Sequence, residues 1–335
     1  MRILIFRTDR VGDFILTSIL LNSIKKNFTN VEIQIVTSEK NYNFAKNSNL
    51  INKAHLYPKK KITDTYKFIK LLRQTFFDYI IIADGKDRSI LLSFFLKCKF
   101  RIINIRKKFF LFFKIFKKNY LIYDNEKKFN KLEIIKKNLF YLNARFENSD
   151  LNIFEKREKT LCLHNKFINF SLNNFILFHF DEKWISNKYI SSYTSIEPSL
   201  EQLENFIHKI VLKTNKNIVI TNGYIENFIF NNLKKNFDKI ENNLYSKLIN
   251  NKKIIIADKT SLEELIDIIS ISNLIITCHG APTHVASSFN VKIIDIIEKN
   301  KENFYNTYTS HLRNYNKIYR QDFNELTNKI LNLIT

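Results

Sequence analysis

Residues 2–28 read RILIFRTDRVGDFILTSILLNSIKKNF. They hold, in order, an apolar run of strand length at 3–6, a polar turn that ends in Gly12 and Asp13, and a stretch of helical period over 14–26. The same alternation continues outward. Strands are expected at 32–36, 55–57, 79–83 and 101–105, with helices over 42–47, 63–74 and 89–97. Strands that alternate with helices specify βαβ units and a parallel sheet. A basic, aromatic stretch follows Lys107, then a long helix over 128–142. A second series has strands at 175–180, 217–221, 253–257, 274–277 and 292–296. Its helices lie at 200–213, 225–237, 261–269 and 283–289, and 324–333 closes the chain as another. The polar stretch 147–166 is the expected junction. The reading is therefore α/β, with two Rossmann-like domains over 1–160 and 161–335. No sequence repeat relates the halves.

The length of 335 residues exceeds what one core usually needs. An apolar fraction of 45% excludes disorder, and 4 Gly and 3 Pro exclude collagen-like and linker-like chains. Cys98, Cys162 and Cys278 are too far apart for a disulfide framework or a CxxC pair, which fits a reducing cytosol. The excess of 54 Lys and Arg over 32 Asp and Glu gives +22. Part of it follows the enrichment in Lys, Asn, Ile and Phe that an AT-rich genome imposes. No nucleic-acid-binding motif accompanies the charge, so no nucleic-acid partner is expected. No leader-like order of charged, apolar and small residues opens the chain, and no run approaches the ~20 apolar residues of a spanning helix. A cytoplasmic protein is expected, soluble or peripheral. The stretch RKKFFLFFKIFKK at 106–118 reads either as a surface helix with a buried aromatic side or as a contact for an anionic inner membrane face.

Gly12, Gly85, Gly223 and Gly280 all lie at or just beyond expected strand ends. Open α/β sheets bind ligands there. Four segments carry candidate chemistry. In Arg7–Asp13 the turn is not GxGxxG, so a dinucleotide fingerprint is absent; Asp13 reads either as a cap of the helix start or as a general base. In CHGAPTHVA at 278–286, Pro282 opens a helix whose first amides suit a phosphate, and His279 and His284 flank the turn. Their spacing is poor for a metal, and no metal is expected. In HFDEKW at 179–184, Lys183 is either solvated or a phosphate clamp, and Trp184 is core or cleft wall. In TNGYIE at 221–226, Glu226 reads as an ordinary first-turn acid. The chain lacks GxSxG, GxxxxGK[ST], HExxH and DxD, which disfavours a serine hydrolase, a P-loop enzyme, a zincin and the usual metal-dependent sugar-nucleotide site.

Taken together these segments resemble glycosyltransferase family 9, the ADP-heptose:lipopolysaccharide heptosyltransferases. The opening 2–28, DYIIIADGKDRS at 78–89, HFDEKW, and TSLEELIDIISISNLIITCHGAPTHVASSFNVKIIDI at 260–296 occur in the family's order. The resemblance implies a GT-B fold, two Rossmann-like domains with parallel sheets facing a cleft, the acceptor in the first and the nucleotide sugar in the second. It implies inverting transfer with no metal or cofactor, only an ADP-linked sugar as co-substrate. By position Asp13 becomes the base, with Arg10, Gly12, Asp84 and Lys86 on the acceptor side. Lys183 holds the diphosphate, Glu226 the ribose, and His279, Gly280, Ala281, Pro282, Thr283 and His284 line the donor turn. One departure stands out: aligned on Pro282 and His284, the family's Asp falls on His279, its Ser/Thr on Gly280 and its Gly on Ala281. An acid replaced by His changes the local charge by about one unit or more. The expected function is sugar transfer to a lipopolysaccharide or other cell-envelope glycan. The alternatives are a sugar-nucleotide epimerase or hydrolase of the same fold and a catalytically silent nucleotide-binding module.

Overall fold

In the computed structural model, residues 1–58, 61–105, 118–123, 130–154, 172, 174–185, 189–223, 225 and 227–334 are described. The chain divides into two units, Met1–Ile153 with Asn306–His311, and Phe154–Tyr305 with Leu312–Thr335.

The first unit is built on six parallel strands in the order β3-β2-β1-β4-β5-β6. These are β1 (Arg2–Arg7), β2 (Glu32–Thr37), β3 (Lys53–Leu56), β4 (Phe77–Ile82), β5 (Cys98–Ile105) and β6 (Asn119–Tyr123). The helices are α1 (Val11–Asn27), α2 (Glu39–Lys46), α3 (Ile62–Leu72), α4 (Asp87–Phe94) and α5 (Lys131–Tyr141). Ile3, Leu4, Ile5 and Phe6 are all fully buried, so β1 is covered on both faces. That is why it reads as a continuous apolar run rather than an alternating one. Strand β6, which pairs in parallel with β5 from Arg101↔Asn119 to Ile105↔Tyr123, was not expected. It follows directly on a lysine-interrupted stretch and gives no clean period of its own. The long helix expected over 128–142 is observed as α5, begun by Asn130, whose side chain accepts from the Glu133 amide at 2.7 Å.

The second unit holds eight strands in the order β14-β13-β12-β7-β8-β11-β10-β9. They are β7 (Phe175–Phe180), β8 (Asn217–Asn222), β9 (Asp238–Glu241), β10 (Leu244–Ile249), β11 (Lys252–Ala257), β12 (Leu274–Cys278), β13 (Lys292–Ile297) and β14 (Tyr315–Tyr319). The helices are α6 (Leu200–Thr214), α7 (Phe228–Lys235), α8 (Leu262–Ile271), α9 (Ala281–Ser288), α10 (Glu302–Thr309, whose residues from Asn306 on belong to the first unit) and α11 (Phe323–Leu333). From β14 to β11 every pairing is parallel, but β11, β10 and β9 run antiparallel, which corrects the expectation of a wholly parallel sheet. The hairpin escaped notice because β9 is exposed at all four positions and carries no apolar alternation. Helix α7 starts at Phe228, later than expected, because the Asn227 side chain accepts from the amides of Ile229 and Phe230 and ends the turn there. Ser199 and Ser261 open α6 and α8 with reciprocal capping boxes to Gln202 and Glu264. Phe178, Phe180, Trp184, Phe206 and Phe230 form the aromatic part of this unit's core. Among the described residues, no helix is long and apolar enough to cross a membrane. The 106–118 segment lies, apart from Lys118, outside the described residues.

The turn after β4 contains the chain's one left-handed glycine, Gly85, at φ 59°. A side chain there meets the steric penalty that L-residues incur in that region. Gly85→Ala is expected to lower the unfolding free energy by roughly 1–2 kcal/mol, read from urea denaturation; an unchanged midpoint and slope contradicts it.

Candidate active site

In the first unit the candidate residues gather at the carboxyl end of β1. Arg7, the last residue of that strand, turns its guanidinium onto the polar loop. Its Nε donates to the Asp13 carbonyl at 3.0 Å and its Nη1 to the Ala83 carbonyl at 2.6 Å. It also pairs with Asp9 at 3.2 Å and with Asp13 at 3.5 Å. Asp13 is the third residue of α1 and keeps 18% of its side chain exposed, the more accessible of the two carboxylates. Burial raises the proton affinity of Asp9, Arg7 opposes that, and Asp13 and Asp84 add to it. One guanidinium thus anchors two carboxylates, Asp9 the more enclosed of the pair. Asp9, not singled out in the sequence, is part of this set; its carbonyl accepts from Asn41 Nδ2 at 2.9 Å.

Asp84 and Lys86 come to the same turn, in a supporting position. Asp84 is fully buried and accepts from Thr8 Oγ1 at 2.7 Å, Ser89 Oγ at 2.8 Å and the Lys86 amide at 3.2 Å. Lys86 Nζ donates to the Thr8 carbonyl at 2.8 Å. Both therefore fix the loop that carries Asp9 and leads into α1 and Asp13. Arg10 is exposed at the N-cap of α1, and Gly12 is the second residue of the helix.

In the second unit, the end of β7 meets the turn between β12 and α9. Lys183 forms an ion pair with Asp181, whose Oδ1 also accepts from the Lys183 amide at 3.1 Å. Burial works against the ammonium charge, but the Asp181 pair outweighs it and holds the proton more tightly than on a free lysine. A Cβ on Gly280 would lie 3.0 Å from Lys183 Nζ, so the glycine is what lets the lysine rest over the turn. Ala281 and Pro282 open α9, and Thr283 Oγ1 accepts from the Gly280 amide at 3.2 Å. Buried Asp295, on β13, accepts from Thr283 Oγ1 at 3.1 Å, from His279 Nδ1 at 2.7 Å and from the Tyr315 hydroxyl at 3.0 Å. The His284 ring is buried and stands edge-on to His279 at 5.4 Å. Trp184 is fully buried and donates to the His179 carbonyl at 2.9 Å, so it belongs to the core. Glu226 lies outside the described residues.

Arg320, just past β14, was not foreseen. Its Nη2 donates to the Lys183 carbonyl at 2.9 Å, its Nε to the Thr194 carbonyl at 2.8 Å, and its Nη1 to Cys278 Sγ at 3.7 Å. It therefore ties the lysine loop to the end of β12. Lys183, Tyr189, Ser191, Tyr193, Ser195 and Arg320 line a pocket beside this staple. Burial pushes the Cys278 thiol up to about 12, which makes it a packing group and not a nucleophile. Among the described residues, no group of three His, Cys, Asp or Glu side chains is arranged to hold a metal ion.

Residues 229–329 match the family model of glycosyltransferase family 9 (heptosyltransferase). Over 323 residues the chain is 29% identical to a protein described as lipopolysaccharide heptosyltransferase 1 from Campylobacter coli, covering 88% of this chain and 83% of that relative. Both comparisons point to glycosyltransferase family 9 as what this chain is similar to. Solved structures agree on the fold. A family 9 glycosyl transferase from Veillonella parvula DSM 2008 superposes with a TM-score of 0.72 at 18% identity, over 99% of this chain and 90% of that one. The E. coli heptosyltransferase WaaC with ADP gives 0.64 at 11% identity, over 98% and 97%. The architecture is the GT-B type expected from the sequence, with the antiparallel hairpin added at one edge of the second sheet.

The buried histidines contribute to the acid sensitivity of the chain. His179, which bonds Thr221 Oγ1 at 2.9 Å, is lowered to about 4 by burial, against the pull of Asp181. Burial also lowers His55 and His311 to about 4. Between about pH 6.5, the ordinary imidazole value, and pH 4 the unfolded chain binds more protons than the folded one. Stability is therefore full above that window and is lost as pH falls through it. His179→Gln is expected to flatten the decline of unfolding free energy between pH 7 and pH 4; an identical slope in the variant contradicts the assignment.

Proposed function

We propose that the chain is a glycosyltransferase of family 9 that moves heptose, or a closely similar sugar, from an ADP-linked donor to a lipopolysaccharide or related cell-envelope glycan, with inversion and without a metal ion. The observation that carries the reading is Lys183, kept charged by Asp181 and laid over Gly280 at the head of α9. A cation and a bare helix start beside one another suit a diphosphate. Support also comes from the description of the Campylobacter coli relative as a lipopolysaccharide heptosyltransferase and from the ADP in the WaaC structure.

The chemistry is a single displacement. Asp13, positioned by Arg7, accepts the proton of the acceptor hydroxyl. The hydroxyl oxygen attacks the anomeric carbon, the bond from that carbon to the diphosphate oxygen breaks, and its electron pair leaves with the nucleoside diphosphate. Attack opposite the leaving group inverts the anomeric centre. Negative charge grows on the departing diphosphate, where Lys183 stabilises it more in the transition state than in the bound donor.

The test is transfer of labelled sugar from an ADP-sugar to a core acceptor in the presence of a chelator. Asp13→Ala is expected to lower kcat by about 10²–10⁴-fold, the usual contribution of a general base, while ADP binding stays intact. Lys183→Ala is expected to weaken ADP binding. Wild-type turnover in Asp13→Ala would sink the proposed base, and conversion of donor with no acceptor present would favour the epimerase or hydrolase alternative.

A further inference from the structure

His279 sits next to Gly280 in the turn over which Lys183 lies, yet the displacement described above gives it no task. Its main chain is fixed, because its amide donates to the Ile296 carbonyl at 3.2 Å. Its ring is fixed as well, because Nδ1 lies 2.7 Å from Asp295 Oδ2. A carboxylate can only accept, so Nδ1 carries the hydrogen. Nε2 is then the nitrogen whose role changes on protonation, an acceptor on the neutral ring and a donor on the cation. The imidazole keeps 11% of its side chain exposed, whereas Asp295 keeps none.

The charges around the turn give that switch a reason. Two cations, Lys183 and Arg320, face four carboxylates: Asp181 and Glu182 beside the lysine, Asp295 under the histidine, and Glu298 at 4.0 Å from Arg320. The other titratable neighbours are His284 on α9, Tyr305 on α10 with its ring 4.8 Å from His279, Tyr315 on β14, and the buried Cys278 thiol. Tyr305 in turn bonds Tyr193, a wall of the pocket that Lys183 also lines, through hydroxyls 2.8 Å apart. A proton on His279 adds a positive charge beside Lys183 at the turn that the diphosphate would meet.

We propose that His279, oriented by Asp295, is a proton-linked contact for the diphosphate of the donor. As the diphosphate binds, Nε2 takes up a proton from solvent and donates it in a hydrogen bond to a phosphate oxygen; the proton returns to solvent when the nucleoside diphosphate leaves. The inference rests on the reading of this turn as the donor site. It assigns binding of the donor, and not only its chemistry, a dependence on pH.

The experiment is calorimetric titration of the full chain with ADP between pH 6.5 and 8.5, in buffers of differing ionisation enthalpy, for wild type and His279→Gln. The comparison cancels the proton exchange of the ADP terminal phosphate itself. Wild type is expected to take up a larger fraction of a proton than the variant. Its affinity advantage over the variant is expected to grow on acidification by up to about tenfold per pH unit, the limit for one linked proton. Nitrogen NMR of the wild-type imidazoles reads the same event without a substitution, as an Nε2 resonance that moves from the neutral to the protonated range when ADP is added. Equal proton uptake and parallel pH slopes, or an unmoved resonance with ADP bound, would overturn the inference and leave the donor site standing. Failure of the wild type to bind ADP at every pH would instead overturn the donor-site reading itself.

Discussion

A lysine that stays charged while nearly enclosed is the constraint around which the second unit is organised. Removing an ammonium from water is costly, and only a close carboxylate with good geometry offsets it. Asp181 supplies that partner two residues away, so the pair is made within one tight turn at the end of β7 and needs no long-range closure. The position of the turn then depends on distant groups. Trp184 seats it in the aromatic core, Arg320 grips the Lys183 carbonyl from beyond β14, and Gly280 leaves the room into which the ammonium reaches. Loss of any one of these would move the charge without touching the lysine.

The first unit meets the same problem with the signs exchanged. There a single guanidinium, Arg7, is placed between Asp9 and Asp13 at the end of β1 and spends its remaining donors on carbonyls of α1 and of the residue after β4. Asp84, fully buried, holds Thr8 and so sets the loop that carries Asp9 and leads into the helix of Asp13. In both units a parallel sheet buried on its faces delivers charged side chains to its carboxyl edge, where apolar strands end and hydrogen-bonding loops begin. The catalytic assignment of Asp13 and the binding assignment of Lys183 draw on this shared design.

Much of this was legible in the sequence. The strand, Gly-Asp turn and helix of residues 2–28 were readable because three different periodicities abut within one short stretch. The helices over 200–213 and 261–269 were readable from their apolar period, and the structure adds the capping boxes of Ser199 and Ser261. Strand β9 was not, since its residues DKIE are all exposed and leave no apolar face to detect. Strand β14, YNKIY, alternates weakly, and missing it concealed Arg320 directly beyond it. Asp295 was hidden for another reason: within KIIDII it is one polar residue in a buried strand, and only the fold brings His279, Thr283 and Tyr315 to it from three other elements. The sequence pointed to His279 as a flank of the phosphate turn and as a departure from a resembled pattern, but gave no hint of the carboxylate that holds it.

The central claim is that the turn joining β12 to α9, with Lys183 laid over it, receives the nucleoside diphosphate. Hydrogen–deuterium exchange of the full chain with and without ADP tests this most directly. The account predicts that ADP slows exchange most at residues 181–185 and 278–284. Slowed exchange confined to other segments, with these two unchanged while ADP is bound, would contradict it.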